Sequence, residues 1–178
     1  FSNVPLSSSV RVMLQIYEDL GGKITYLENN QLLLNLKGIN KYVINEELAK
    51  KERASYMFLG LLLQRFGRAE IVDAGGCNLG NRPVDALFQG VIDMGAKFTQ
   101  SDKYVFEAKE LKANSSIWQL EASVTGTENL VLASILALGE TRIYNAACEP
   151  HVQDLCNFLN TIGANIKGVG TNCLVING

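Results

Sequence analysis

The stretch Ala74-Gly75-Gly76-Cys77-Asn78-Leu79-Gly80-Asn81-Arg82-Pro83-Val84-Asp85 concentrates the residue types of this sequence best suited to thiol and anion chemistry. Two glycines before Cys77 and one after it permit a tight, adaptable backbone that a packed element would not tolerate, so Cys77 is expected on a loop. Pro83 at a first helical position with Asp85 in the first turn is a helix-start signature. Free backbone N–H groups at that end, beside the Arg82 guanidinium, suit an anion or a carbonyl-rich ring. The same positive charge would favour the thiolate of Cys77. A glycine-rich turn holding an inert cysteine has the same pattern, and these residues alone leave both readings open.

A second candidate is Ser123-Val124-Thr125-Gly126-Thr127-Glu128, in which Thr125 and Glu128 have the S/T-x-x-E spacing of a capping box. The spacing predicts a helix N-terminus whose hydroxyls and N–H groups could hold a phosphate, although most capping boxes only cap. Arg53 is the third. It follows Lys50 and Lys51 at the start of a very apolar segment, where it either points at an anion or belongs to a solvated cluster. His151, the single histidine, lies between Cys148 and Cys156. Neither a zinc nor a redox spacing links the four cysteines, and no metal or cofactor is expected.

These residues are carried by a pattern that occurs three times. Apolar residues at i, i+3, i+4, i+7 and i+10 read Val10, Met13, Leu14, Tyr17, Leu20 before Gly21. They read Val84, Leu87, Phe88, Val91, Met94 before Gly95, and Val152, Leu155, Cys156, Leu159, Ile162 before Gly163. Each is an amphipathic helix by its period, which makes Cys156 a core residue rather than a ligand. A strand opens after each glycine, at Gly22-Lys23-Ile24, Ala96-Lys97-Phe98 and Ala164-Asn165-Ile166, and a second strand follows near 32–36, 104–108 and 173–177. Two further helices, about 48–66 and 128–138, precede the second and third copies. Gly67 and Gly139 then stand four residues before Ile71 and Ile143. Residues 57–63 and 130–138 are apolar nearly all round, so these helices belong inside and the sheets outside. In the first copy Phe1-Ser2-Asn3 aligns with Ile143-Tyr144-Asn145 and no buried helix precedes it, so that unit is expected to be incomplete.

The chain has 178 residues, 47% of them apolar, which is enough for one domain with a sizeable core. Sixteen basic against 18 acidic side chains give no general attraction for nucleic acid or anionic membrane. No apolar run reaches the roughly 18 residues of a membrane span, and no signal-peptide zones open the chain, so a cytoplasmic protein is expected.

At Arg53-Ala54-Ser55 with Leu59-Gly60 and Arg65-Phe66-Gly67, and at the whole Gly75-Gly76-Cys77 to Arg82-Pro83-Val84-Asp85 stretch, the chain resembles the enolpyruvyl transferase family. Ser123 through Asn129, Asn145-Ala146-Ala147 with Glu149-Pro150, and Gly168 through Thr171 carry the likeness further, in order along nearly the whole chain. The cysteine loop resembles the members that act on UDP-N-acetylglucosamine rather than those that act on shikimate phosphate, which lack it. The resemblance implies an α/β fold: an inside-out α/β barrel domain of three pseudo-symmetric repeats, with buried helices and outer mixed sheets. Its units would be about 1–44, 45–110 and 111–178, with a second domain as partner. The activity implied is transfer of enolpyruvyl from phosphoenolpyruvate to the 3-hydroxyl of UDP-N-acetylglucosamine with release of phosphate, in peptidoglycan synthesis.

By the same resemblance Cys77 is the proton donor to the phosphoenolpyruvate methylene and the thiol that fosfomycin alkylates. Arg82, Pro83, Val84, Asp85 and Ala86 would hold the uridine end and help bind phosphoenolpyruvate. Arg53 would be an active-site arginine, and Glu121, Ala122, Ser123 and Val124 would lie beside the diphosphate. Leu87 stands where the family commonly has histidine, and Glu121 where it has lysine or an apolar residue. The family's lysine-asparagine pair would precede Phe1, and a catalytic aspartate and a further arginine would follow Gly178. The two substitutions leave a second reading open, a paralogue that binds a UDP-sugar or a protein without turnover.

Overall fold

Ser7 starts the first helix: its side chain accepts the Val10 N–H at 3.4 Å, and α1 (Ser8–Asp19) follows. Ile16, Tyr17 and Leu20 are buried, whereas Val10, Met13 and Leu14 are half-buried. The computed structural model describes residues 1–73 and 85–178. After Gly21 come β1 (Lys23–Leu27) and its antiparallel partner β2 (Gln31–Asn35).

The helix expected over 48–66 is broken into three pieces. They are α2 (Glu46–Ala49), a 3-10 turn Arg53–Met57, and α3 (Phe58–Phe66). Glu52 is the break: its backbone is extended, at φ −147°, and its side chain accepts the Ala54 N–H at 3.3 Å. A hydrogen-bonded restart thereby replaces a continuous helix. Gly67 ends α3 at φ 68°, a left-handed cap that glycine adopts without strain.

The chain then forms β3 (Arg68–Ile71), α4 (Asp85–Asp93), β4 (Lys97–Gln100) and β5 (Tyr104–Glu107). Next come β6 (Ile117–Trp118), α5 (Val124–Ser134), β7 (Glu140–Tyr144), α6 (Pro150–Thr161), β8 (Asn165–Lys167) and β9 (Cys173–Asn177). The sheets run β1-β2, β3-β5-β4 and β6-β7-β9-β8. Among the described residues the named strands pair antiparallel except β6 with β7, which makes the last sheet mixed, and an isolated bridge joins Val43 to Glu70 in parallel. The fold is α/β, and the sheets do not close into a barrel among the described residues.

Three hairpins open with the pairs Lys23↔Asn35, Lys97↔Glu107 and Asn165↔Asn177, the first and third in one register and the second shorter. Each begins two residues after a glycine at positive φ, namely Gly21, Gly95 and Gly163. Phe1 exchanges two backbone hydrogen bonds of 2.9 Å with Leu32, and Ile143 pairs with Leu174. Two residues on, Asn3 and Asn145 have φ of 55° and 56°.

The interior is helical. Every residue of α5 from Gly126 to Ser134 is buried, and α3 buries Leu59, Gly60, Leu62 and Leu63. The two helices touch at Gly60, where a Cβ would come within 2.8 Å of the Asn129 carbonyl oxygen and 2.9 Å of the Ala133 nitrogen. Only glycine allows this approach. Asn129 Oδ1 uses it to accept the Gly60 N–H at 2.9 Å. Against α4 the rings of Phe88, Phe98, Tyr104 and Phe106 cluster, with Phe88 and Phe106 centroids 4.8 Å apart.

Four apolar positions expected inside lie outside, among them Leu61 at 40% and Leu136 at 68% exposure. Ile162 is 65% exposed at the end of α6. Leu138, placed by periodicity in a buried helix, is 77% exposed because α5 stops at Ser134 and the chain turns outward towards β7. The stripes otherwise hold: Leu87, Phe88, Val91 and Met94 are buried, as are Val152, Cys156 and Leu159. Val84 lies outside the described residues.

Burial raises the Cys156 thiol pKa to about 11, with the nearby Glu128 carboxylate adding to the effect. The thiol is therefore an inert packing group. Cys156→Ser is expected to cost about 1 to 3 kcal/mol by placing a hydroxyl in an apolar site. A variant whose urea midpoint equals that of the parent would refute the core role.

Candidate functional site at the N-terminal ends of the inner helices

Ser123 sets the geometry of the candidate site. With φ −82° and ψ 122° it stands just outside α5, and its Oγ accepts the Gly126 N–H at 3.2 Å. The cap is thus Ser123, not Thr125 as the S/T-x-x-E spacing predicts. Two residues of that box lie elsewhere for a physical reason: Thr125 is already inside the helix, and Glu128 is turned into the protein. Glu121 and Ala122 are exposed before the cap, and Val124 is half-buried after it.

Below the cap lies a hydroxyl that the sequence did not single out. Thr127 is fully buried, and its Oγ1 donates to the Ser123 carbonyl at 2.8 Å. The same oxygen accepts Gln119 Nε2 at 2.7 Å and the Ala147 N–H at 2.9 Å.

Arg53 opens the 3-10 turn that packs against α5. It is half-buried, with its guanidinium 5.7 Å from the centroid of the Tyr56 ring. Tyr56 in turn donates its hydroxyl to Asp73 Oδ1 at 2.9 Å, which ties this turn to the end of β3.

The three inner helices point the same way. Gly60 meets Asn129, and Gln64 Nε2 donates to the Ala133 carbonyl, so α3 and α5 run in parallel. Gly90 abuts Leu130, and Ser134 Oγ donates to Met94 Sδ at 3.7 Å, so α4 and α5 run in parallel as well. Their N-terminal ends, with the Arg53 turn, the Asp85-Ala86 start of α4 and the Ser123 cap, therefore lie at one end of the molecule. Aligned helix N-termini carry partial positive charge and unpaired N–H groups, an arrangement that suits an anion. Cys77, Arg82, Pro83 and Val84 lie outside the described residues. Leu87 is 2% exposed and packs in the core.

A cavity of about 790 Å³ lies at the other end, by Gly67 and Gly95. Its Arg65, Lys97, Lys109 and Lys112 sit where α3 and α4 terminate, the end at which cations complement helix dipoles. Among the described residues no group of three or more His, Cys, Asp or Glu side chains could hold a metal, and no helix is long and apolar enough to cross a membrane.

Glu128 is the buried carboxylate nearest the site, 8% exposed on the second turn of α5. Desolvation raises its pKa; Glu149 adds to the rise, and His151 works against it. The native state therefore holds this proton more tightly than the unfolded chain does. Stability from this group is fullest below its unfolded pKa and falls as pH rises through its higher folded pKa. Glu128→Gln is expected to raise the melting temperature at neutral pH, with the gain shrinking towards pH 4. An equal or lower melting temperature at neutral pH would contradict it.

The family model of EPSP synthase (3-phosphoshikimate 1-carboxyvinyltransferase) matches residues 1–178. The UDP-N-acetylglucosamine 1-carboxyvinyltransferase of Borrelia garinii is 44% identical over 99% of this chain and 41% of its own length. That of Treponema denticola is 44% identical with the same coverage, and that of Campylobacter jejuni is 38% identical over 99% of this chain and 42% of its own. Among solved structures, the enolpyruvyl transferase NikO from Streptomyces tendae superposes with a TM-score of 0.83 at 18% identity, over 99% of this chain and 42% of that one. EPSP synthase from Acinetobacter baumannii gives 0.74 at 19%, over 99% and 40%. These share the fold. The chain spans about two fifths of the length of the curated relatives it matches.

Proposed function

Since the chain belongs to the EPSP synthase (3-phosphoshikimate 1-carboxyvinyltransferase) family, we propose that it is the cysteine-bearing domain of a UDP-N-acetylglucosamine enolpyruvyl transferase, a cytoplasmic enzyme of peptidoglycan synthesis. The observation that carries this reading is 44% identity, over 99% of the chain, to relatives named for that acceptor.

In this reading the 3-hydroxyl of UDP-N-acetylglucosamine gives its proton to a base of the second domain as its oxygen bonds to the central carbon of phosphoenolpyruvate, while Cys77 gives a proton to the methylene and makes it a methyl group. The methyl group then gives a proton to a base as the bond from the central carbon to the phosphate oxygen breaks, which restores the double bond and leaves enolpyruvyl on the sugar. A carbon-protonation step needs a positioned acid, and a three-carbon anion carrying phosphate needs several cations. Arg53 and Arg82 supply two of them. Pro83, Val84, Asp85 and Ala86 hold the uridine end, and Glu121, Ala122, Ser123 and Val124 flank the diphosphate. The convergence of helix N-termini on the Arg53 and Ser123 end supports this assignment.

The fold reading is the inside-out α/β barrel of three pseudo-symmetric units, about 1–44, 45–110 and 111–178, with a second domain completing the site. The hairpins that open two residues after Gly21, Gly95 and Gly163, and the matching pairs Phe1 with Leu32 and Ile143 with Leu174, support it. A paralogue that binds UDP-sugar without turnover is favoured by Glu121 alone, since Leu87 is a packing residue. One assay separates the two. The chain is grafted into the Borrelia garinii transferase in place of the matched segment, and phosphate release from phosphoenolpyruvate is followed with UDP-N-acetylglucosamine. Release that needs shikimate 3-phosphate instead, or binding without release, would overturn the proposal.

A further inference from the structure

We infer that Thr127 is a positioning residue for the nucleotide-sugar segment: its buried hydroxyl fixes Ser123 and Val124 from beneath and thereby sets affinity for the diphosphate. This deepens the function proposed above and rests on it for the identity of the ligand.

The geometry carries the argument. Thr127 Oγ1 donates one hydrogen bond and accepts two, so its bonding capacity is filled with none left for a ligand. Its three partners belong to three different segments. Ser123 is the cap of α5, Gln119 follows β6, and Ala147 lies in the turn that leads to α6. Gln119 is itself held, because its N–H donates to the Tyr144 carbonyl at 3.1 Å and its carbonyl accepts Asn145 Nδ2 at 3.0 Å. The Ser123 carbonyl is thus tied through one oxygen to the end of β7 and to the turn after it.

Leu120, Glu121 and Ala122 are exposed, and the segment meets the cap through the Glu121 carbonyl, which accepts the Ser123 N–H at 2.8 Å. The Ser123 carbonyl also accepts the Thr127 backbone N–H at 2.8 Å, so the hydroxyl adds to this helical bond the link to Gln119 and Ala147 that fixes the direction of the cap. Gly126 adds a steric condition: a Cβ there would stand 2.8 Å from Gln119 Oε1, a buried acceptor with no hydrogen-bond partner. The Gln119 side chain can occupy this place only because residue 126 is glycine. A preorganised cap binds an anion without first ordering itself, whereas a loosened one loses affinity through that ordering.

The test uses Thr127→Val, which keeps the branched shape and leaves Ala147 N–H and Gln119 Nε2 unpaired, and Thr127→Ser, which keeps the hydroxyl. Amide hydrogen exchange on the 178-residue chain should show Gly126 and Ala147 exchanging about tenfold or more faster in T127V, with T127S close to the parent. Amides of Leu63 and Val91 should not change. Calorimetric titration with UDP-N-acetylglucosamine should show affinity weakened about tenfold in T127V and restored in T127S. Should T127V fail to fold, Gln119→Met removes one of the three bonds and is read in the same two ways.

Unchanged exchange at Gly126 and Ala147 overturns the proposal, and so does faster exchange with unchanged affinity. Parent chain that shows the expected exchange pattern but no UDP-N-acetylglucosamine binding up to millimolar concentration would instead sink the functional reading on which the ligand rests.

Discussion

Cys77→Ser in the grafted protein should lower phosphate release by a factor of about 10² to 10⁴, the usual contribution of a positioned general acid. It should also abolish labelling by fosfomycin. A serine hydroxyl keeps roughly the shape of the thiol but is far too weak an acid to give its proton to a carbon at neutral pH, so binding should survive better than turnover. The prediction is specific to one of four cysteines. Cys156 is fully buried, with its thiol pushed up to about 11, so it supplies neither thiolate nor access. Cys148 is exposed and Cys173 half-buried, which makes these two the realistic competitors for an electrophile. Tryptic mass spectra of the labelled protein should carry the adduct on the peptide containing Cys77. An adduct on Cys148 or Cys173, together with near-parental turnover of the serine variant, would remove Cys77 from the mechanism.

The apolar stripes are legible in the sequence because burial of a helix face imposes a period, which marks Leu87, Phe88, Val91 and Met94 as inward-facing. Gly21, Gly95 and Gly163 were equally legible, since each ends a stripe and adopts a positive φ that other residues resist. What failed was whatever depends on long-range contact. Glu52 breaks a helix that propensity would continue, because its carboxylate finds the Ala54 N–H. Ser123 and Thr125 both carry a hydroxyl of the type that caps, but Thr125 lies inside α5. The choice falls on Ser123 because Thr127, four residues on, is clamped by Gln119 and Ala147 from outside the helix. Ile117 and Trp118 gave no signal as a strand, for two residues carry no period and their partner β7 lies more than twenty residues away. The candidate site was legible residue by residue, through Arg53 and the Ser123 segment. Its assembly was not, because the common direction of α3, α4 and α5 follows from the contacts of Gly60 and Gly90 with α5, and a single sequence does not reveal which glycine meets which helix.

The 178-residue chain by itself should fold and yet release no phosphate above background. Folding is expected because α3, α4 and α5 already enclose a continuous apolar core that reaches from Ile16 to Ile176, so thermal unfolding should be cooperative. Catalysis is expected to fail for lack of the remaining groups, since the chain matches only 41% of the Borrelia garinii transferase. Phosphoenolpyruvate carries a carboxylate and a phosphate, and two arginines from one side leave most of that charge facing water, where each cation is worth little. Closure of a second domain would exclude this water and bring further cations and a base to the reacting carbons. UDP-N-acetylglucosamine binding should persist weakly, because the helix N-termini and the Ser123 cap need no partner to exist. The measurement is phosphate release by the purified chain beside the grafted protein, at equal concentrations of both substrates. The grafted protein should turn over at a rate of the same order as the Borrelia garinii transferase, and the chain not at all. Turnover by the isolated chain at a rate near that of the grafted protein would mean that Cys77, Arg53 and Arg82 suffice without a second domain, and the divided-site reading would be wrong.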